Sequence, residues 1–252
     1  MLEDAGFEVA IQPEKLCCGR PLYDYGMLDL AKHKLRQILD GLAEEIARGT
    51  PVVGLEPSCV SVLRDELLGL FPHDVNAQRL ARQTHTLTAF LRSKAPHWRP
   101  PRVEQHAIVH GHCHHKAVLG WDKEQELIRA VVPDCEVVDS GCCGMAGSFG
   151  YEADKYDVSM QIGELRLLPK VRAAGRETLI VSDGFSCHGQ IETAGRKPLH
   201  IAQVLQMAIR QRRPVPRASE VASRRLRSRR LLRRAALAGA ATAALVAAVR
   251  TL

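Results

Sequence analysis

Four cysteines lie on three separate stretches between residues 113 and 187. Cys113 lies within a histidine-rich run, the adjacent pair Cys142 and Cys143 lies between glycines, and Cys187 stands more than forty residues further on. Only a folded domain can bring such distant positions together. Thiolates are soft ligands that suit zinc and iron–sulfur clusters. The spacing therefore predicts one metal or cluster site made by these four cysteines.

The adjacent cysteines make the pattern more specific. Neighbouring side chains of a β-strand point to opposite faces, so Cys142 and Cys143 would not share one ion from a strand. Gly141 and Gly144 indicate a tight turn instead, in which both thiols can face the same way. Two thiolates from one turn fit a cluster of several irons more easily than one tetrahedral zinc. The alternative is a set of inert cysteines in the core.

The pattern occurs a second time, near the start of the chain. Cys17 and Cys18 precede Gly19, and Cys59 follows a short apolar stretch, as Cys187 does. Because the same order of motifs recurs, we predict an internal repeat. The first copy would form its own site from Cys17, Cys18 and Cys59.

Strands alternating with helices predict an α/β fold with small, mainly parallel sheets and flanking helices. In such sheets, sites form beyond the carboxyl ends of the strands, where Cys59, Cys113 and Cys187 all stand. The predicted strands are 6–12, 51–55, 106–110, 135–139 and 178–182, and the predicted helices are 24–48, 76–95, 123–132, 152–174 and 199–211.

The 252 residues suffice for two small domains. We predict two pseudo-repeated cysteine-rich domains, residues 1–95 and 102–211, joined by a proline-rich linker at 96–101. A basic and Ala-rich helical tail would occupy 212–252. The eighth cysteine, Cys135, opens a predicted strand and is assigned to packing. No signal-peptide pattern accompanies the eight cysteines, so we expect a cytoplasmic protein with metal-bound thiolates rather than disulfides.

The positive charge of the chain lies in its tail. Residues 210–234 hold eleven arginines and one acid, Glu220, whereas the whole chain has a net charge of +7. The Ala-rich run 235–249 is fifteen residues long, shorter than the about 20 needed to span a bilayer. A basic segment beside an apolar helix can lie on an anionic membrane surface. The alternative is a solvated extension, and because no folded reader motif accompanies the charge we do not expect nucleic-acid binding.

The segment Gly141-Cys-Cys-Gly-Met-Ala-Gly-Ser-Phe-Gly150 carries a family resemblance. It resembles the paired cysteine-rich CCG domains of iron–sulfur proteins such as the heterodisulfide reductase B component, the anaerobic glycerol-3-phosphate dehydrogenase C component and the iron–sulfur subunit of glycolate oxidase. It looks most like the C-terminal part of fused FAD-linked D-lactate and D-2-hydroxyglutarate dehydrogenases. The resemblance covers about residues 1–210.

The resemblance implies an iron–sulfur module that passes electrons from a flavin to a quinone or another carrier. Cys113, Cys142, Cys143 and Cys187 would ligate one [4Fe–4S] cluster. FAD would belong to a partner subunit or an upstream dehydrogenase domain, since no flavin-binding pattern is found in the sequence. We expect the protein to lie at the inner face of the cytoplasmic membrane.

Two departures from the family pattern affect the sites. Glu56 and Gly184 stand where the family has the first cysteine of a Cys-x-x-Cys motif, so each site has at most four cysteines. We expect Glu56 to face solvent. The first copy also has no counterpart of Cys113. We therefore expect one complete cluster and one incomplete site, in a C-terminal piece of a longer protein whose upstream part supplies the missing ligand.

Five histidines near the cysteines keep other hypotheses open. Cys/His sets bind zinc well, so the competing class is a zinc- or cluster-bearing structural module without a redox role. Another alternative is a degraded fragment whose first site binds nothing. We assign each histidine a supporting or exposed position rather than a ligand role; they are His110, His112, His114, His115 and His188.

Overall fold

Two parallel β-sheets organise the part of the chain that the computed structural model describes, residues 1–13 and 15–212. The first sheet pairs β1 (Val52–Gly54) with β2 (Thr84–Thr86). The second has the order β4-β3-β5, with β3 (Ala107–His110) between β4 (Cys135–Val137) and β5 (Leu179–Ser182). All pairings are parallel, which confirms the predicted α/β class.

Strand β2 corrects the prediction of one helix over 76–95. The segment instead forms a helix, a three-residue strand and a second helix. The β-branched Thr84 and Thr86 favour the extended conformation. Their hydroxyls also end one helix and begin the next, because Thr84 Oγ1 donates to Leu80 O (2.7 Å) and Thr86 Oγ1 accepts from Ala89 N (3.2 Å).

The strand predicted at 6–12 is wrong. Residues 7–12 form neither helix nor strand, and the Ile11 side chain is 89% exposed. Phe7 packs instead on Phe90 of the first repeat, with ring centroids 4.8 Å apart. These residues pair with no strand of the two sheets, and the ring contact of Phe7 holds the start of the stretch.

The long helix predicted over 24–48 is divided at Leu42. Its main part buries Ala31, Leu35, Ile38 and Leu39, which recur on one helical face. The helices of the first repeat are α1 (Arg20–Asp24), α2 (Leu28–Gly41), α3 (Ala43–Arg48), α4 (Pro57–Arg64), α5 (Glu66–Leu70), α6 (Val75–Gln83) and α7 (Leu87–Lys94).

The second repeat surrounds its sheet with helices in the predicted order. The helix predicted over 152–174 is two helices, separated at Arg166. Short π-helical (His115–Leu119) and 3₁₀ (Phe149–Tyr151) turns complete the set. The helices are α8 (Asp122–Val131), α9 (Tyr156–Leu165), α10 (Leu167–Ala173), α11 (Phe185–Thr193) and α12 (Ile201–Arg212).

Apolar packing links the two repeats. Leu87 and Leu91 of α7 belong to the same buried cluster as Leu127 of α8 and Leu205 of α12. Residues 1–209 form one unit of the chain and residues 210–252 another. The predicted tail lies outside the described residues except for Arg212. Among the helices that the structure describes, none has the length and apolar character to cross a membrane.

Candidate metal centre

The second sheet brings the four cysteines of the second repeat to one edge. Cys113 lies just beyond β3, the pair Cys142 and Cys143 lies in the loop after β4, and Cys187 lies in the first turn of α11 after β5. These are the carboxyl ends of three neighbouring parallel strands, where α/β proteins form their sites. The predicted convergence of these cysteines is therefore observed.

Their thiols form a continuous chain of contacts. The side chains of Cys113 and Cys142, of Cys142 and Cys143, and of Cys143 and Cys187 interact with one another. The interaction with Cys113 holds the pKa of Cys142 well below its usual range. The interaction with Cys142 raises the pKa of both Cys113 and Cys143. The thiolate is the form of cysteine that binds a metal.

His110 belongs to this group more closely than the sequence indicated. It ends the fully buried strand β3, and its Nδ1 lies 2.7 Å from Ser140 Oγ. One of its ring nitrogens lies within 4.8 Å of the sulfurs of Cys143 and Cys187. The contact with Cys143 is the largest cause that lowers the pKa of Cys187. The contact with the His110 ring lowers it further. The sequence did offer a sign of this role, because His110 ends a predicted strand and sites form at the carboxyl ends of parallel strands.

The turn around the adjacent cysteines is the predicted glycine turn. Gly141 and Gly144 have φ of 61° and 101°, values that other residues rarely adopt. A Cβ at Gly144 would overlap the backbone oxygen of Ser159, whereas one at Gly141 would meet nothing within 4 Å. Glycine is thus required at position 144 for two reasons: the positive φ, and the close packing of α9 against this residue.

The first repeat brings its own cysteines together. Cys18 and Cys59 have sulfurs 3.0 Å apart, and Cys17 is exposed beside them. The hydrogen bond with Cys59 lowers the pKa of Cys18 to about 7, and the same contact raises the pKa of Cys59. The structure therefore brings the thiols of Cys18 and Cys59 into contact and leaves Cys17 exposed.

The two groups of cysteines are neighbours. Ser58, which precedes Cys59, has its Oγ 3.4 Å from Nε2 of His112, which precedes Cys113. A second link joins the helices that carry Cys59 and Cys187, since Phe185 N donates to Glu56 Oε2 at 2.7 Å. Any group bound by one set of thiols would therefore lie close to the other set.

Comparison with known sequences agrees with this arrangement. The profile of the cysteine-rich domain family CCG matches residues 1–64, which include Cys17, Cys18 and Cys59. The first 64 residues of this chain are thus similar to the cysteine-rich CCG domain.

Two kinds of named relative are similar in sequence to this chain. The C component of anaerobic glycerol-3-phosphate dehydrogenase from Escherichia coli K12 is 29% identical over 201 residues, covering 76% of this chain and 49% of the relative. Lactate utilization protein A of Exiguobacterium is 28% identical over 233 residues, covering 84% and 89%. The Bacillus subtilis protein of that name is 28% identical, covering 81% and 89%. This chain thus spans about half the length of the first relative.

Glu56, which was expected to face solvent, is half-buried, and both of its carboxylate oxygens accept hydrogen bonds. Its Oε1 accepts from Ser58 N (3.1 Å) and Ser58 Oγ (2.8 Å), which caps α4. Its Oε2 accepts from the first amide of α11. One carboxylate thus stabilises the N-termini of both cysteine-bearing helices.

The other departure from the CCG pattern, Gly184, is also explained. A Cβ at Gly184 would overlap the His112 ring and lie 3.1 Å from the Cys187 sulfur. The buried imidazole of His112 therefore fills the space in which a side chain at 184 would begin. Burial lowers the pKa of His112 to about 4, so the ring is neutral near neutral pH.

Replacing Glu56 by alanine should destabilise the fold by about 1–3 kcal/mol, because two helix-terminal amides lose their acceptor. Glu56→Gln is the matched control, since it keeps one carbonyl oxygen as an acceptor and should lose less. Chemical unfolding of both variants measures the difference. An alanine variant as stable as the wild type would show that this carboxylate does not hold the helices.

Proposed function

We propose that this chain is the iron–sulfur electron-transfer module of an FAD-linked 2-hydroxyacid dehydrogenase system. The observation that carries the proposal is the convergence of four thiols from three loops at one sheet edge. A thiolate set of this kind is the donor set of iron–sulfur clusters. A bound cluster would accept and release one electron at a time.

The proposal assigns the ligands by repeat. Cys113, Cys142, Cys143 and Cys187 hold one [4Fe–4S] cluster. The thiols of Cys17, Cys18 and Cys59 form a second site that needs a further ligand. The repeats correspond to residues 1–95 and 102–211. The contacts of Glu56 and Ser58 across the repeats support a short path between the two sites.

The proposed partner is an FAD-binding dehydrogenase domain or subunit. Two observations support it: one relative is named as a dehydrogenase subunit, and others are named for lactate utilization. The chain's own residues would bury the cluster, hold its ligands and dock the flavoprotein. We place the docking surface near Cys17, the most exposed of the seven proposed ligands. Electrons would then pass to a quinone or another carrier.

A redox titration of the anaerobically reconstituted chain tests this function. We expect visible absorbance that bleaches on reduction by dithionite, together with a paramagnetic signal of a reduced cluster. The reduced FAD-linked partner should bleach the same absorbance. A protein that holds its metal but shows no change on reduction would contradict electron transfer.

A zinc-bearing structural module is the second candidate, favoured by one observation. The donor atoms of His112, Cys113 and His114 lie within 4.8 Å of one another, and mixed Cys/His sets suit zinc. In that case the metal would tie the loop after β3 without changing oxidation state. Zinc that survives dithionite treatment, with no sulfide present, would favour this candidate.

We also propose that the basic tail holds the protein at the inner face of the cytoplasmic membrane. Each basic residue near an anionic surface contributes about 1 kcal/mol, and residues 210–234 contain eleven arginines. Deleting residues 213–252 should abolish binding to phosphatidylserine vesicles and leave the iron content unchanged. Vesicle co-sedimentation measures the effect, and vesicles of neutral lipid are the control. Equal binding with and without the tail would show that it does not hold the protein at a membrane.

A further inference from the structure

A third group of ligand-type side chains lies apart from the cysteines. His115 begins the π-helical turn after β3, Glu124 lies in the first turn of α8, and Asp183 follows β5 directly. One donor atom from each lies within 4.8 Å of the other two. The Nε2 of His115 is 3.5 Å from Oε2 of Glu124. The group contains one imidazole and two carboxylates and no thiol.

These side chains are buried without the hydrogen bonds that buried polar groups normally make. The side chains of His115 and Glu124 are 3% and 2% exposed, and that of Asp183 is 10% exposed. Within the described residues, both ring nitrogens of His115 and Oε1 of Glu124 have no hydrogen-bond partner. An unpaired buried polar atom costs free energy, so its persistence calls for a ligand.

The surroundings hold the group in place. Asp183 Oδ1 accepts from Ile201 N at 2.8 Å and lies 3.5 Å from Nδ1 of His200. The ring of Trp121 packs against the ring of His115 in a tilted arrangement, with centroids 5.8 Å apart. Burial is the largest cause that raises the pKa of Glu124, and the charge of Asp183 raises it further. Two carboxyl groups that face each other in a dry site are best neutralised by a cation.

We propose that His115, Glu124 and Asp183 bind one divalent first-row transition-metal ion, separate from the cysteine centres. Imidazole and carboxylate together suit Mn²⁺, Fe²⁺ and Zn²⁺. Ligand atoms about 2.0–2.2 Å from such an ion lie about 3–4 Å apart, which matches the 3.5 Å between His115 and Glu124. The ion would join the loops that carry Cys113 and Cys187, because His115 and Asp183 lie on those loops.

Manganese is the probe that separates this site from the thiols. Mn²⁺ prefers oxygen and nitrogen ligands, so the cysteines compete weakly for it. The full chain, purified anaerobically and treated with EDTA, is titrated with Mn²⁺ while electron paramagnetic resonance records the free ion. We expect one Mn²⁺ per chain and a melting temperature raised by about 5 °C at saturating ion.

Two variants assign the ligands, and a third is the matched control. Glu124→Gln and Asp183→Asn keep the size of the side chain and one of its two oxygens but lose the carboxylate, and each should weaken Mn²⁺ binding at least about tenfold. Glu126→Gln, the same change on the same helix, removes a carboxylate that is 56% exposed and paired with Arg92, and should leave Mn²⁺ binding unchanged. Circular dichroism and iron content check that each variant folds.

The outcomes are distinct. Loss of Mn²⁺ binding in the two site variants, with the same iron content as the wild type, supports the site. This outcome does not depend on whether the cysteines bind a cluster. A wild-type chain that binds no Mn²⁺ at about 1 mM, a concentration at which even a weak site would fill, overturns it. Equal Mn²⁺ binding by the wild type, Glu124→Gln and Asp183→Asn also overturns it, because the ion would then lie elsewhere.

Discussion

Cys187→Ala should abolish the cluster of the second repeat, and the iron bound per chain should fall to the amount that the first site holds. Cys187 is buried at one end of the row of thiols and contacts both Cys143 and His110. Removing one of four thiolates leaves an iron without its protein ligand in a buried site. Iron and sulfide analysis of the anaerobically reconstituted variant measures the loss.

Cys135→Ala is the control for this experiment. Cys135 begins β4 and packs against the apolar core rather than the thiol group. Burial raises its pKa, so it remains a thiol. The control should keep all of its iron. Equal iron loss in the two variants would show that the effect is one of folding, and full iron retention by Cys187→Ala would remove Cys187 from the ligand set.

Gly144→Ala should destabilise the protein by at least about 2 kcal/mol. The added methyl group would overlap the backbone oxygen of Ser159 on α9, and the residue has φ of 101°. Overpacking against rigid backbone and a left-handed conformation each cost about 1–3 kcal/mol. Because the turn carries Cys142 and Cys143, the cluster should also be lost more rapidly under air.

Gly141→Ala separates the two contributions, since Gly141 lies in the same turn and also has a positive φ, 61°. A Cβ there meets nothing within 4 Å, so only the conformational cost of about 1 kcal/mol applies. Thermal unfolding compares the two variants. Equal destabilisation would show that contact with α9 does not determine the glycine at 144.

The sequence predicted the parts of the site that depend on local rules. Parallel strands place their carboxyl ends at one edge, so cysteines that follow β3, β4 and β5 were expected to meet, and they do. Glycines on both sides of Cys142 and Cys143 predicted the turn. Their identity as cluster ligands stays a prediction. The helical periodicity of α2 predicted its buried face but not its end at Leu42.

Other features depend on contacts between distant residues. Phe185 lies 129 positions after Glu56, whose carboxylate accepts from its amide, and no local pattern indicates that bond. Strand β2 interrupts a helical pattern because β1 offers it a parallel partner. Residues 7–12 have the composition of a strand but pair with no strand of the two sheets. In each case tertiary contacts override local propensity.

The most direct test of the central claim is the iron, acid-labile sulfide and zinc content of the anaerobically purified full chain. The account predicts about four iron and four sulfide per chain in the second repeat, an under-filled first site and no stoichiometric zinc. Cluster loss in Cys113→Ala but not in Cys135→Ala would assign that iron to the thiol group. One zinc per chain without sulfide, or two complete clusters in the isolated chain, would contradict the account.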